Sequence, residues 1–416
     1  MSVRDTLVSV ARQAIETVLP ERTVKEALTD LPIPKDGEVV LIAIGKAAWR
    51  MANAAHEILA SRVSRGCVIT KDGHSMGAIG KLEIFEAAHP VLEQRNLDAT
   101  ARALSLIKGL TDKDTVLFLV SGGGSALLEL PASGVTLSDL ADMTSQLLAC
   151  GADIVEINTL RKRVSSVKGG RFAQSAAPAQ VRAVVLSDVL GDRLDSIASG
   201  PAAPDTATAE DALSIVEKYK LKLAPSITSK LRDETPKELS NVTTQITGSV
   251  PVLCESARKL LAERGFDVTL LTTTLDCEAA SAGAFFAAVA REAVKDRANR
   301  VRPVAFIAGG ETVVKLRGKG KGGRCQEMAL AASLGIKGLD GVAFIAAGSD
   351  GTDGPTDAAG GVADGLTAES LKKKGLKAQA MLDDNDAYHA LKAVDGLFVT
   401  GPTGTNVNDL MILAVE

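Results

Sequence analysis

Short apolar runs that end in glycine-rich turns alternate along this chain with longer segments whose apolar positions recur at helical spacing. That alternation predicts parallel strands joined by crossover helices, an α/β architecture. Strands are expected at Glu38–Ile44, Gly66–Thr70, Thr115–Val120, Arg182–Ser187, Val250–Cys254, Asp267–Leu271, Val304–Ala308, Gly341–Ala347 and Gly396–Thr400. Helices are expected between them. Lys46–Ser61 carries Ala, Met and Leu at helical spacing, and Cys277–Asp296 is Ala-rich, with an acidic start and basic residues towards its end. No internal repeat is evident.

The 416 residues exceed what one hydrophobic core usually serves, so two domains are expected. The stretch Leu221–Gln245 mixes Pro225, Pro236 and many charged and polar residues between two blocks of strand and helix signals. The expected division is therefore 1–235 and 236–416. The first ~35 residues form an amphipathic helical stretch that ends at the Pro32-Ile33-Pro34 turn and fits either domain.

Composition narrows the partners. Apolar residues make up 46% of the chain but aromatic ones only 3%, so Ala, Val, Leu and Ile must fill the interior. The net charge of −4 comes from a mixture of 51 acidic and 47 basic residues, which leaves no footprint for nucleic acid or an anionic membrane. A small-molecule partner is expected, with the protein a monomer or homodimer. No run approaches the ~20 apolar residues of a membrane span and no signal peptide is visible, so the expected location is cytoplasmic. The five cysteines are scattered and never form a CxxC pair, and the four histidines lack metal-binding spacing.

Candidate chemistry gathers where strands end. Gly45-Lys46 breaks the first strand and places a lysine at the opening of a helix, where it is either an anion contact or a solvated first-turn residue. Ser121-Gly122-Gly123-Gly124-Ser125 follows another apolar strand. Its glycines permit close backbone approach and its amides and hydroxyls suit phosphate oxygens, although a tight strand-to-helix turn has the same appearance. This is not the GxxxxGK[ST] loop. Arg161, Lys162, Arg163, Lys168 and Arg171 form a dense basic region, to be read as anion contacts or as a solvated helix face. Asp188 and Asp192 follow the next strand, where carboxylates hold Mg²⁺, accept a hydroxyl proton or simply form a turn.

In the second half, Gly310-Glu311-Thr312 and the Gly/Lys/Arg alternation from Arg317 to Arg324 bracket a short strand. Arg324 opens a helix there, placed to stabilise a transferring phosphoryl group. Asp350 and Asp353 lie in a Gly-rich turn that resembles a cation loop but lacks the closing glutamate of an EF-hand. A polar loop from Thr400 to Asp409 includes Asn406.

Taken in order, Gly45-Lys46-Ala47, Ser121–Ser125, Lys168-Gly169-Gly170-Arg171, Ser187-Asp188-Val189, Ser199-Gly200-Pro201, Gly322-Gly323-Arg324, Asp353–Gly360 and Thr400–Asn406 resemble the class II glycerate kinases with a C-terminal MOFRL domain. The resemblance runs nearly the full chain. It implies two three-layer α/β/α domains, a Rossmann-like mainly parallel N-terminal one and a mixed-sheet C-terminal one, with the active site in the cleft. It also implies an ATP- and Mg²⁺-dependent reaction that phosphorylates the 2-hydroxyl of D-glycerate, with Lys46 and Arg324 matching the family's basic catalytic residues. Two positions depart from the family pattern: Val91–Asn96 after His89-Pro90, and Cys325 where asparagine is usual.

On that reading Lys46, Arg324, Asp188 and Asp192 are catalytic. Ser121, Gly122, Gly123, Gly124, Ser125 and Lys168 hold ATP, while Arg161, Glu311 and Asn406 hold substrate. Mg²⁺ falls to carboxylates drawn from Asp188, Asp192, Asp350 and Asp353. An NAD(P)H-dependent hydroxypyruvate reductase is the first alternative, opposed by the lack of a GxGxxG turn with its following acidic residue. A non-catalytic small-anion-binding protein is the second.

Overall fold

The computed structural model describes residues 2–30, 33–34 and 36–416; of the expected Pro32-Ile33-Pro34 turn, Pro32 lies outside them. The chain divides into two compact units, Pro20–Thr247 and Met1–Leu19 with Gly248–Glu416.

The first unit carries a six-stranded sheet: β1 (Val39–Ile44), β2 (Val63–Lys71), β3 (Glu83–Ala87), β4 (Thr115–Val120), β5 (Gln180–Leu186) and β6 (Val242–Gly248), in the order β3-β2-β1-β4-β5-β6. Pairing from β3 through β5 is parallel. Every residue of β1 and β4 is buried. Their side chains alternate between two apolar clusters, as the two-residue period of a strand requires: Val40, Ile42, Ile44, Val116 and Phe118 face one, and Val39, Leu41, Ala43, Leu117 and Leu119 the other. Helices on both faces therefore make three layers. Phe118 stacks on Phe172 of the covering helix Arg171–Ala176 at 4.4 Å between ring centroids.

The second unit is mixed: β7 (Asp267–Leu275), β8 (Val304–Gly310), β9 (Val342–Gly348), β10 (Gly360–Asp364), β11 (Leu397–Phe398) and β12 (Asp409–Val415), in the order β11-β10-β9-β12-β8-β7. β7 and β8 are parallel, whereas β12 runs antiparallel to both β8 and β9. Helices Ala279–Lys295 and Arg324–Gly335 cover one face. They cross closely at Gly283, where a Cβ would lie 2.4 Å from the Met328 carbonyl oxygen.

The structure corrects several sequence expectations. Val250–Cys254 opens the helix Val250–Glu263: Ser249 occupies the N-cap position, a proline stands in the first turn, and Leu253, Cys254, Ala257 and Leu261 continue the buried stripe at helical spacing. β3 and β6 lack continuous apolar runs because they lie at sheet edges and are only half-buried. β6 adds to the first sheet, so that unit extends past the expected division at 235/236. The N-terminal stretch also divides. Helix Val3–Thr17 belongs to the second unit, where Thr405 donates to the Val18 carbonyl at 2.8 Å, and helix Pro20–Asp30 belongs to the first.

Candidate functional site

In the first unit the strand order reverses between β1 and β4, and the turns that follow these two strands are Gly45-Lys46 and Ser121–Ser125. Such a reversal opens a crevice at the carboxyl ends of a parallel sheet. The two turns are tied together by the backbone. Lys46 N donates to Gly122 O at 2.9 Å, and Ala47 N to Ser121 Oγ at 3.1 Å. Ser121 Oγ in turn donates to Ile44 O at 3.2 Å. Its hydroxyl therefore joins the turns, and the expectation that it contacts ATP is corrected to a structural role. Gly45, at φ +113°, has no room for a side chain: a Cβ would lie 2.2 Å from Ser121 Oγ.

Beyond this splice, the amides of Gly122, Gly123, Gly124 and Ser125 donate to no backbone carbonyl among the described residues. Gly123 adopts φ +85°, and a Cβ there would meet His89 Nε2 at 3.1 Å and Lys46 Cγ at 3.3 Å. Burial first, and the Lys46 charge second, hold the His89 imidazole below its ordinary pKa. The Lys46 ammonium itself makes no hydrogen bond or ion pair among the described residues. Asp188, just past β5, lies against Gly122, where a Cβ would stand 2.2 Å from Asp188 Oδ2. Asp192 follows in the same turn at φ +52°, its amide bonded to Val189 O at 3.1 Å.

Lys168 supports this turn from below. It is fully buried, and its ammonium donates to Ser125 O at 2.7 Å and Leu128 O at 3.0 Å while pairing with Glu129 Oε2 at 3.1 Å. All three protons are engaged. Burial pulls its pKa down, and Glu129 opposes that pull. The expected contact with ATP is corrected: Lys168 positions the Ser125 carbonyl and does not reach into the crevice. Ser125 Oγ lies 3.0 Å from Ser199 Oγ, and Arg161 is half-buried on the helix Ile154–Arg163.

In the second unit Arg324 is the first residue of the helix Arg324–Gly335. Its guanidinium grips Asp409 through two bonds, Nε to Oδ2 at 2.5 Å and Nη2 to Oδ1 at 3.0 Å, and reaches Glu311 Oε1 at 3.2 Å. Asn408 Nδ2 donates to the other Glu311 oxygen at 2.9 Å. Asp409 heads the wholly buried strand β12, and burial pushes its carboxyl up to about 6 although Arg324 pulls the other way. Burial also works against the charge on Arg324, but the Asp409 bonds and charge carry its pKa well above the ordinary value.

Gly323, at the N-cap of that helix, has no side chain to cap it, and Asp353 substitutes from the loop after β9. Its Oδ1 accepts from Cys325 N at 3.2 Å, and its Oδ2 from Gln326 N at 2.8 Å and Gln326 Nε2 at 3.0 Å. Asp353, expected to bind Mg²⁺, has both oxygens engaged at this helix end. Asp350 accepts from Thr352 N at 2.9 Å and closes its own turn. Asn406 does likewise, accepting from Asn408 N at 3.2 Å. Glu311 is exposed and bound to Arg324 and Asn408. Cys325 is fully buried, so it packs as a small apolar residue. Among the described residues, no three His, Cys, Asp or Glu side chains are grouped to hold a metal ion.

Asp409 and Asn408 went unassigned in the sequence. The available signal was an acidic residue standing alone ahead of the apolar run Leu410–Val415, which is how a buried counter-charge reads.

Residues 6–232 match the family described as a domain of unknown function, DUF4147, and residues 304–409 match the MOFRL family. The chain is 52% identical to a D-glycerate 2-kinase of Thermotoga maritima over 99% of its own length and 98% of that protein's. It is 37% identical, over 91% of its length and all of the relative's, to a putative hydroxypyruvate reductase of Agrobacterium vitis. Among solved structures it resembles a glycerate kinase of Thermotoga maritima with a TM-score of 0.96 and 50% identity, covering 100% of this chain and 99% of that one.

Replacing Lys168 by methionine removes a buried ammonium and leaves Glu129 uncompensated. The expected cost is about 3–5 kcal/mol in the stability of the first unit, read as a lower urea midpoint. An unchanged midpoint would show that the Lys168 network contributes nothing.

Proposed function

The chain belongs to the glycerate 2-kinase family, and from that premise we propose how its residues divide the work. The enzyme transfers the γ-phosphoryl group of ATP to the 2-hydroxyl of D-glycerate, giving 2-phosphoglycerate and ADP. The observation that carries the assignment of ATP to the first unit is the splice between the turns after β1 and β4, at the reversal of strand order. There the Gly122–Ser125 amides and the Lys46 ammonium take the phosphate oxygens, and Lys46 offsets the charge that gathers as the bond to the leaving ADP breaks.

The residues around Gly122 fit a magnesium ion. Mg²⁺ keeps several waters and needs only one or two protein carboxylates beside the nucleotide phosphates. Asp188 is the first candidate, because its carboxylate packs directly against Gly122 of the proposed phosphate turn, and Asp192 the second. When bound, the ion supplies charge neutralisation on the phosphates. Whichever of the two carboxylates faces the acceptor accepts the proton of its 2-hydroxyl as that oxygen attacks phosphorus in line and ADP leaves. Arg324 stabilises developing charge, and Asp409 fixes its orientation. The proposal includes a cytoplasmic location; no helix among the described residues is long and apolar enough to cross a membrane.

Two features oppose a nicotinamide reductase. The first turn reads Gly45-Lys46-Ala47, without the dinucleotide fingerprint. Asp72, at the end of β2 where such folds keep a ribose-binding acid, is held by Arg95 at 2.5 and 2.6 Å.

The direct test is ADP release with D-glycerate, ATP and Mg²⁺, run beside NADH and NADPH oxidation with hydroxypyruvate, with the product identified by NMR. 2-Phosphoglycerate with no nucleotide oxidation is expected; oxidation without ADP release would refute the kinase. Lys46→Ala is expected to lower kcat about a hundredfold or more with an unchanged melting temperature, measured by the same assay and a thermal scan. Wild-type turnover in the folded variant would remove Lys46 from the mechanism.

Acid should also weaken catalysis through Asp409. Its folded pKa of about 6 lies above its ordinary 3.8, so protonation near pH 6 breaks its ionic hold on Arg324. The same sign makes this group's contribution to stability fullest below pH 3.8 and lost as pH rises through about 6. The expected outcome is a fall in kcat/KM below about pH 6 that Asp409 does not accompany with unfolding. Asp409→Asn should be slower and lack that limb, as a pH–rate profile will show.

A further inference from the structure

We propose that Asn158 and Arg161, with Asn158 held beside the glycine-rich turn through Ser199 and Ser125, form the subsite that takes the carboxylate of the acceptor hydroxy acid. The inference rests on the kinase reading above and assigns its substrate anion to a specific set of donors.

Three basic residues stand together at the end of the helix Ile154–Arg163, and they differ sharply in their surroundings. Lys162 is buried and paired with Asp205 at 3.1 Å and Asp195 at 3.5 Å. Arg163 is buried and donates to Asp233 O and Ala207 O, each at 2.8 Å, and to Glu234 at 3.1 Å. Both hold the fold. Arg161, between them and Asn158, has no hydrogen bond or ion pair among the described residues. It stands three residues after Asn158, whose side chain is linked through Ser199 to Ser125 of the glycine-rich turn.

Asn158 lies three residues before Arg161, on the same helix face. It is 6% exposed, yet its side chain makes a single hydrogen bond, accepting from Ser199 Oγ at 3.2 Å. The two protons of its Nδ2 donate to no described residue. Its Nδ2 is not one of the fully enclosed polar atoms that lack a partner, so these protons face accessible space, where the oxygens of a ligand can take them. Ser199 is itself fully buried and links Asn158 to Ser125, whose hydroxyl is 3.0 Å away.

The backbone is distorted to make this link. Ala198 at φ +51° and Ser199 at φ +61° are consecutive left-handed residues that carry side chains. Gly169 N and Gly170 N hold the segment by donating to Ser199 O at 3.0 Å and Gly200 O at 2.7 Å. Strain of this kind persists where surrounding contacts enforce it, and it gathers at ligand sites. The donors are a planar guanidinium and a planar amide three residues apart on one helix, which match the two coplanar oxygens of a carboxylate.

The test measures KM separately for D-glycerate and for ATP in Arg161→Gln, Asn158→Asp and the wild type, and compares D-glycerate with its neutral amide as acceptor. Arg161 is half-buried, so its variant reports even where Asn158→Asp does not fold. The expected result is a rise of about tenfold or more in the KM for D-glycerate with little change in that for ATP. The preference for the acid over the amide should also shrink by a similar factor. A rise confined to ATP would reassign these donors to phosphate and overturn the proposal, as would unchanged constants for both substrates. Wild-type protein that releases no ADP with D-glycerate would instead fail the kinase reading itself.

Discussion

The site depends on two loops being fastened to each other before any ligand arrives. Parallel strands β1 and β4 are neighbours, so their carboxyl ends are held about 4.8 Å apart by the sheet ladder. The turns that leave them then bond directly, Lys46 to the Gly122 carbonyl and Ala47 to Ser121 Oγ. Lys46 cannot move without Gly122, and Gly122 is packed against Asp188 from the end of the next strand. A cation, open amides and a carboxylate are thus fixed relative to one another by backbone geometry. Preorganisation of this kind lets charge stabilisation act without reorganising the protein during the reaction.

The charged residues fall into two groups that composition cannot separate. Lys162, Arg163, Lys168, Asp205, Asp353 and Asp409 are buried, and each has its partners built in. Lys46 and Arg161 are less buried and have none among the described residues. The first group holds backbone and helix ends in place, at a desolvation cost that their hydrogen bonds offset. The second is left to meet a ligand. Arg324 stands between the two, tied to the buried Asp409 by two bonds while a third of its side chain remains exposed.

Much of the architecture was legible in the sequence, because strands buried between two layers read as continuous apolar runs that end at or just before a glycine-containing turn. β1, β4, β8 and β9 are of that kind. Edge strands β3 and β6 were not, since half-burial dilutes the apolar signal, and the buried start of the helix Val250–Glu263 has the composition of a strand. The glycine-rich turns, Lys46 and Arg324 stood out by type and position. Asp353 and Lys168 stood out for the same reasons, but carboxylates and ammonium groups serve helix ends and backbone carbonyls as readily as they serve ions and nucleotides. Only the packing distinguishes the uses. Asn158 carried no sequence signal of its own; its unused amide protons become visible only when Ser199 and its own burial are known.

The central claim is that nucleotide binds where Gly122 lets the Asp188 carboxylate approach the turn. Calorimetric titration of Gly122→Ala with ATP in the presence of Mg²⁺ tests it most directly, since the added methyl displaces that carboxylate without altering any charge. The predicted result is a folded protein with wild-type melting behaviour whose affinity for ATP is about tenfold weaker or worse. A wild-type affinity for ATP in that variant would contradict the account.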